Sequence, residues 1–278
     1  MNPDSAGPDS MGPAAFAPSP ALDAVPFDAL DIMGLRLMDI PRQDLAELVV
    51  RAARAHAKML VVNANAHCMV LSQHEHWLRA LFAEADVTFC DGAGVQLASL
   101  FLTGRRLHRT TPPEWIGPVL EQLGGDASLF WLGGEQAVAE EAARAYERRY
   151  GVRTAGVHHG FFDVRAGSAD SEAIIRQINE TRPNLLLVNM GMPRQERWLH
   201  DHWHRIAPTI AITAGALVDH AAGRVHRPPR WVANMGLEWA VRLSREPRRL
   251  WRRYLIGLPV FGFHVLRWKF APERSRSQ

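Results

Sequence analysis

The sequence predicts an α/β protein built on a mainly parallel, doubly wound sheet that carries a C-terminal basic and aromatic helical appendage. Apolar periodicity switches between about 2 and about 3.6 residues along the middle of the chain, the pattern of strands alternating with helices. The run Leu185 to Val188 is apolar without interruption, as in a strand covered on both faces. Turns rich in Gly, Asn and Asp follow one strand after another, at the edge where such sheets bind ligands.

The alternation predicts, in order, strand Ile32–Met38, helix Arg42–Ala57, strand Met59–Asn63, helix Cys68–Ala83, strand Val87–Cys90 and helix Gly94–Phe101. It continues with helix Glu114–Leu123, strand Ser128–Leu132, helix Gln136–Tyr150, strand Val152–His158, helix Ser171–Glu180, strand Leu185–Asn189, helix Gln195–Ile206 and strand Thr209–Thr213. Strands separated by helices imply right-handed crossovers and a parallel sheet. Residues 1–25 are rich in Pro, Ala, Gly, Ser and Asp without hydrophobic period, which describes a disordered tail. The α/β core is expected over 26–226, the appendage over 227–270, and a second tail over 271–278.

With 278 residues, 47% of them hydrophobic, the chain can bury a full core. The net charge of +3 hides an acidic N-terminal tail and a strongly basic C-terminal end. Cys68 and Cys90 show no C-x-x-C spacing, which argues against a disulfide scaffold or a zinc ribbon and fits a reducing cytosol. The N-terminus lacks the basic flank and apolar core of a signal peptide, and no run approaches the roughly 20 apolar residues that span a bilayer.

The strand ends carry Asn63-Ala64-Asn65, Asp91-Gly92-Ala93-Gly94, Gly133-Gly134, His159-Gly160-Phe161, Gly191-Met192-Pro193 and Ala214-Gly215. Glycines let a ligand approach the backbone, helix N-termini favour anions, and Asn65, Asp91 and Gln195 supply directed hydrogen bonds. No turn holds G-x-G-x-x-G, and there is no P-loop. Asp91, flanked by glycine at a strand end, is the candidate general base, with a helix N-cap as its structural alternative. Arg109 can pair with a diphosphate or be a solvated surface arginine. Glu196 is open between an ion pair with Arg194 or Arg197 and a catalytic role, and receives no assignment. His200 and His204 lie one helical turn apart, but without an H-E-x-x-H arrangement they read as polar helix surface. His158 and His159 read equally well as structural residues. No metal or cofactor is expected, and no D-x-D occurs in the chain.

Toward the C-terminus, Arg242, Arg245, Arg248, Arg249, Arg252, Arg253, Arg267 and Lys269 are interleaved with Trp239, Trp251, Tyr254, Phe261, Phe263 and Trp268. The apolar stretch from Leu255 to Phe263 suits shallow insertion into a lipid surface, with arginines on anionic headgroups. Single-stranded nucleic acid is the competing partner and a core helix the structural alternative.

Together these motifs resemble the WecG/TagA/CpsF family of bacterial glycosyltransferases, over about Ile32 to Trp268. The resemblance rests on Asn63-Ala64-Asn65, Asp91-Gly92-Ala93-Gly94-Val95, Leu132-Gly133-Gly134, Gly191-Met192-Pro193-Arg194-Gln195-Glu196, Ala214-Gly215-Ala216-Leu217-Val218-Asp219 with Ala222-Gly223, Arg227-Pro228-Pro229, Gly236-Leu237-Glu238-Trp239, Glu246-Pro247-Arg248 and Arg252-Arg253-Tyr254. It implies a Rossmann-like sheet and a metal-independent, inverting transfer from a UDP-sugar to a polyprenyl-diphosphate-linked sugar in bacterial surface polysaccharide synthesis. It further implies a peripheral location on the anionic cytoplasmic face of the cell membrane, with no nucleic-acid partner.

By position, the resemblance makes Asp91 the base, Asn65 and Gln195 polar groups around the sugar, Arg109 the arginine facing the diphosphate, and Asp219 the nucleotide-binding acid. Asn63, Gly92, Gly94, Gly133, Gly134, Gly191, Pro193 and Gly215 would line the nucleotide-sugar site. Arg242, Arg248, Arg249, Arg252 and Arg253 would contact lipid or diphosphate. Two departures stand out: Asn63 where threonine is common, and Pro112-Pro113-Glu114 in place of Gly-x-Asp after the arginine. The donor sugar and the oligomeric state, a homo-oligomer included, are left open. The rival reading is a non-catalytic nucleotide- or nucleic-acid-binding regulatory module.

Overall fold

The computed structural model describes residues 27–207, 209–225, 238–245 and 247–271. The expected N-terminal tail, nearly all of the C-terminal tail and the start of the appendage, including Arg227-Pro228-Pro229 and Gly236-Leu237, lie outside them. The strands are β1 (Ala29–Ile32), β2 (Leu35–Met38), β3 (Met59–Ala64), β4 (Val87–Cys90), β5 (Ser128–Gly133), β6 (Arg153–His158), β7 (Leu185–Asn189) and β8 (Ile210–Thr213). They form one sheet in the order β1-β2-β4-β3-β8-β7-β5-β6. Only β1 and β2 pair antiparallel; the other six pairings are parallel, as the alternation predicts.

The helices are α1 (Arg42–Arg54), α2 (Ala66–Leu71), α3 (His76–Glu84), α4 (Ala93–Thr103), α5 (Pro112–Leu123), α6 (Gln136–Tyr150), α7 (Ala169–Thr181), α8 (Arg194–His202), α9 (Leu217–Ala221), α10 (Glu238–Arg245), α11 (Pro247–Trp251) and α12 (Gly257–Phe270). They cover both faces of the sheet. Val61, Phe89, Trp131, Leu187 and Ile212 point into one core with side chains of α1, α5, α6 and α9. Their strand neighbours Leu60, Val62, Phe130, Leu186, Val188 and Ala211 point into a second, with α2, α3, α4, α7, α8 and α12. Successive strand residues alternate between two apolar cores, which explains why the strands read as unbroken apolar runs.

Local chemistry redraws three predicted elements. The expected strand Ile32–Met38 is instead part of a hairpin. Met33 and Gly34 adopt positive φ (55° and 82°), and the Gly34 N–H donates to Asp31 Oδ1 at 2.9 Å. The expected helix Cys68–Ala83 divides into α2 and α3, and it begins earlier because Asn65 caps it, its Oδ1 accepting from the Cys68 N–H at 3.1 Å. The expected helix Gln195–Ile206 ends as α8 and continues in a 3-10 turn, Trp203–Arg205. Pro112-Pro113-Glu114 opens α5: the prolines occupy its first positions, where no N–H is missed, and Glu114 accepts from the Thr111 N–H at 2.8 Å.

At Gly133 the ends of β5 and β7 approach so closely that a Cβ would lie 2.3 Å from the Asn189 carbonyl carbon, on a backbone with φ +133°. Only glycine fits there without moving a strand. Gly133→Ala is expected to destabilise the fold by about 3 kcal/mol, combining overpacking with backbone strain, read as a fall in the midpoint of urea unfolding.

Candidate functional site

Parallel pairing brings the C-terminal ends of β3, β4, β8, β7 and β5 to one edge, and hydrogen bonds from side chains tie the neighbouring ends together. Thr213, wholly buried at the end of β8, accepts from the Asn63 N–H at 2.9 Å and donates its hydroxyl to Asn63 Oδ1 at 2.7 Å. The Asn63 amide then donates to Asp91 Oδ2 at 2.5 Å. The Asp91 N–H donates to the Ala64 carbonyl at 2.8 Å, extending the β3–β4 pairing beyond the strands. The N-cap of α4 is Gly92, at φ +123°, so the alternative that Asp91 caps this helix is not realised.

Arg109 comes to this edge through backbone pairing. It forms an isolated parallel bridge with Cys90, and the Thr110 N–H donates to the Cys90 carbonyl at 3.0 Å. Its half-buried side chain therefore stands beside the strand end that bears Asp91. Further along the same edge, Asn189 Oδ1 accepts from the Val218 N–H at 3.1 Å, which fixes α9 and its half-buried Asp219 against the end of β7. Gly134 and Gly191 adopt positive φ in the turns after β5 and β7, and Pro193 is the N-cap of α8. Gly94 lies apart from these turns, packed against Ala66 and Phe261, each 3.6 Å from where its Cβ would be.

Gln195 does not face open crevice. It is 2% exposed, donates its amide to Glu196 Oε1 at 2.7 Å, and accepts from the Gly215 N–H at 3.2 Å. Gln195 thus holds the turn after β8. Glu196 is fully buried and Oε2 has no hydrogen-bond partner, so burial pushes its pKa up from 4.5 to about 7. The ion pair considered for it does not form. Arg194 donates to the Gly160 and Phe162 carbonyls, and Arg197 pairs with Asp201 at 2.9 Å and lies over Trp77.

The cation near Glu196 comes from the far end of the chain. Arg253, half-buried in the π-helical turn Arg252–Ile256, is close enough to interact with Tyr254, Arg242, Asp91 and Glu196. Burial lowers its pKa, while both carboxylates oppose that shift. Burial together with Arg253 also lowers His67, in the first turn of α2, to about 4, so its imidazole is neutral at physiological pH. Neither Glu196 nor His67 was assigned a role from sequence. The available signal was their position, one residue beyond Gln195 and two beyond Asn65.

The remaining arginines of the predicted set lie on the appendage: Arg242 on α10, Arg248 and Arg249 on α11, and Arg252 in the π-helical turn with its guanidinium over Trp251. Beyond that turn, α12 buries Phe261 and Val265 in the core while exposing Phe263, Leu266 and Phe270. One side of the helix thus packs in the core, as the structural alternative expected, while the other presents apolar side chains outward. On α4, Leu97, Leu100 and Phe101 are exposed as well, and Lys269 joins the two helices by donating to the Leu102 carbonyl at 3.3 Å and lying over Phe101. The sequence signal for this second apolar face was α4 itself, apolar on nearly every side.

The histidines are used structurally. His200 pairs with Asp201 and His204 with Glu84, while His158 bonds the His159 carbonyl. Among the described residues, no three His, Cys, Asp or Glu side chains gather where they could hold a metal ion. Cys68 and Cys90 are buried free thiols. No helix among the described residues is long and apolar enough to cross a membrane.

The family model described as the glycosyl transferase WecG/TagA/CpsF family matches residues 30–275. Similar proteins include the N-acetylglucosaminyldiphosphoundecaprenol N-acetyl-beta-D-mannosaminyltransferases of Staphylococcus aureus strains MW2, NCTC 8325 / PS 47 and COL. Each is 26% identical over 220 residues, which cover 78% of this chain and 84% of the relative.

The buried Glu196 makes stability depend on pH in a definite direction. Because folding raises its pKa, its contribution is complete below pH 4.5 and is lost as pH rises through about 7. Glu196→Gln keeps the acceptor for the Gln195 amide without the charge. Its stability relative to the native protein is expected to climb by roughly 3 kcal/mol between pH 4.5 and 8, measured by urea unfolding at both pH values. His67 titrates in both proteins, so its contribution cancels in the difference.

Proposed function

The chain belongs to the WecG/TagA/CpsF family of glycosyl transferases, and from that premise we propose that it moves a hexose or N-acetylhexosamine from a UDP-sugar to a polyprenyl-diphosphate-linked saccharide at a membrane surface. Family membership sets aside the non-catalytic module. The observation that carries the reading is the Asp91 carboxylate at the strand-end edge, bonded to Asn63 and close to the appendage's Arg253, with the Arg109 backbone paired beside its strand.

In the proposed step, Asp91 takes the proton of an acceptor hydroxyl as that oxygen bonds to the anomeric carbon of the donor. The bond from this carbon to the β-phosphate oxygen breaks, and its electron pair leaves on UDP. A single displacement of this kind inverts the anomeric centre. Arg109, Arg253 and the backbone N–H groups of the glycine turns meet the growing charge on the diphosphate. Gln195 acts from beneath by fixing the Gly215 turn, and Asn65 and Asp219 flank the crevice from α2 and α9. The acceptor class is supported by the relatives, whose names specify a diphosphoundecaprenol-linked sugar.

Docking on the anionic cytoplasmic membrane is supported by the exposed apolar faces of α4 and α12, with Arg106, Arg267 and Lys269 near their ends. A lipid surface matches both features: apolar side chains insert shallowly, and each basic group contributes about 1 kcal/mol on anionic headgroups.

Asp91→Asn is expected to reduce sugar transfer by about 10²- to 10⁴-fold while leaving UDP binding within about threefold, compared by radiolabelled transfer to a polyprenyl-diphosphate saccharide and by calorimetry. Full transfer by this variant would remove Asp91 as the base. A double change, Leu100→Glu with Phe263→Glu, is expected to weaken sedimentation with phosphatidylglycerol vesicles at least tenfold without lowering the melting temperature, because both side chains are exposed. Unchanged sedimentation would rule out this docking face.

A further inference from the structure

The structure fixes which way the Asn63 amide points. Thr213 Oγ1 accepts the Asn63 backbone N–H and donates its hydroxyl to Asn63 Oδ1 at 2.7 Å, while the Asp91 carboxylate on the other side can only accept. With Oδ1 thus satisfied, Nδ2 is the group turned toward Asp91. Both members of the relay are buried, Thr213 at 0% and Asn63 at 4% exposure, so water cannot replace either partner readily. They stand on adjacent strands whose backbones are themselves paired, which leaves the relay little freedom to rearrange.

We infer that Asn63, oriented by Thr213, is a positioning residue for Asp91, holding its carboxylate in one rotamer and in the ionised form that accepts the acceptor's proton. An amide N–H can only donate here, and donation favours the carboxylate over the neutral acid. Asn63, which stands where the resemblance implies a threonine, thereby serves the base. The charged and titratable groups near Asp91 include its chain neighbour Cys90, Arg253 from the appendage, and Arg109, which pairs with the Cys90 backbone and lies close to its thiol. The 2.5 Å bond from the buried Asn63 amide, itself held twice by Thr213, restricts the carboxylate rotamer directly. This assignment rests on Asp91 being the base, and the experiment below separates the two.

The test is a carbon-13 carboxyl titration of the full-length protein, with the Asp91 signal identified by its loss in Asp91→Asn. Asn63→Asp is isosteric and replaces the donor with a second carboxyl, so the two acids share a proton and titrate as a pair. The upper of the two apparent pKa values is expected to lie at least one unit above that of Asp91 in the native protein. The acid limb of kcat/KM for transfer should move by a similar amount. Thr213→Val keeps the volume but releases the amide; it is expected to lower kcat about tenfold with little change in KM, and Thr213→Ser should restore it. An Asp91 titration unchanged in both Asn63→Asp and Thr213→Val would overturn the inference, and the valine variant keeps the test decisive should Asn63→Asp fail to fold. If Asp91→Asn still transfers sugar while the titrations shift, the relay stands and the base assignment falls. If Asp91→Asn is inactive and no titration shifts, the base stands and the relay falls.

Discussion

Asp91, Glu196 and Arg253 share a region from which the sheet edge, α2, α8 and the C-terminal segment remove much of the water, and the free energy of keeping charge there constrains the surrounding structure. A carboxylate taken out of water must gain hydrogen bonds or an opposite charge, or it takes up a proton. Asp91 is met by the Asn63 amide. Glu196 has one oxygen on Gln195 and none on the other, and its pKa rises accordingly. Arg253 is the compensating cation for both, which couples the C-terminal segment to the strand ends by charge as well as by packing. Loss of that segment would take away the cation that acts on both carboxyl groups.

The sheet was legible because each strand obeys a local rule. Leu185 to Val188 read as a doubly covered strand, and its residues do alternate between two apolar cores. Element ends were less legible where one side chain decides them: Asn65 starts α2 early, and Asp31 with Gly34 bends an expected strand into a hairpin. The candidate residues on strand ends do share one edge, since a parallel sheet delivers those ends together whatever the loops do. Arg253 was read as a lipid or diphosphate contact, and its approach to Asp91 and Glu196 depends on how the appendage folds back, which no local pattern encodes. Glu196 was set aside because its sequence neighbours are arginines, yet on the helix Arg194 and Arg197 turn to carbonyls and to Asp201 while Glu196 turns inward.

The helix α12 serves two surfaces at once. Phe261 packs beside Gly94 and Ala66, so the glycine in the first turn of α4 is where the appendage seats on the core. An alanine at 94 would still make ordinary contact with Phe261, so only side chains reaching beyond Cβ press on this seat. The side of α12 facing away from that contact is apolar but uncovered, and α4 extends it. An uncovered apolar face this broad is costly in water unless something occupies it part of the time.

Geometry gives the proposed docking a further consequence. The helix α4 starts directly after Gly92, next to Asp91, and its exposed Leu97, Leu100 and Phe101 lie along the following two turns. At a rise of 1.5 Å per residue, they stand roughly 6–12 Å along the helix axis from its first residue, Ala93, two positions after Asp91. If that face rests at the boundary of headgroups and acyl chains, the strand-end edge sits at headgroup depth, where a diphosphate tethered to a lipid is held. The acceptor would then need no extraction from the bilayer, and the same basic groups would attract the membrane and accompany the leaving diphosphate. One rigid helix would thereby set the height of the base above the lipid.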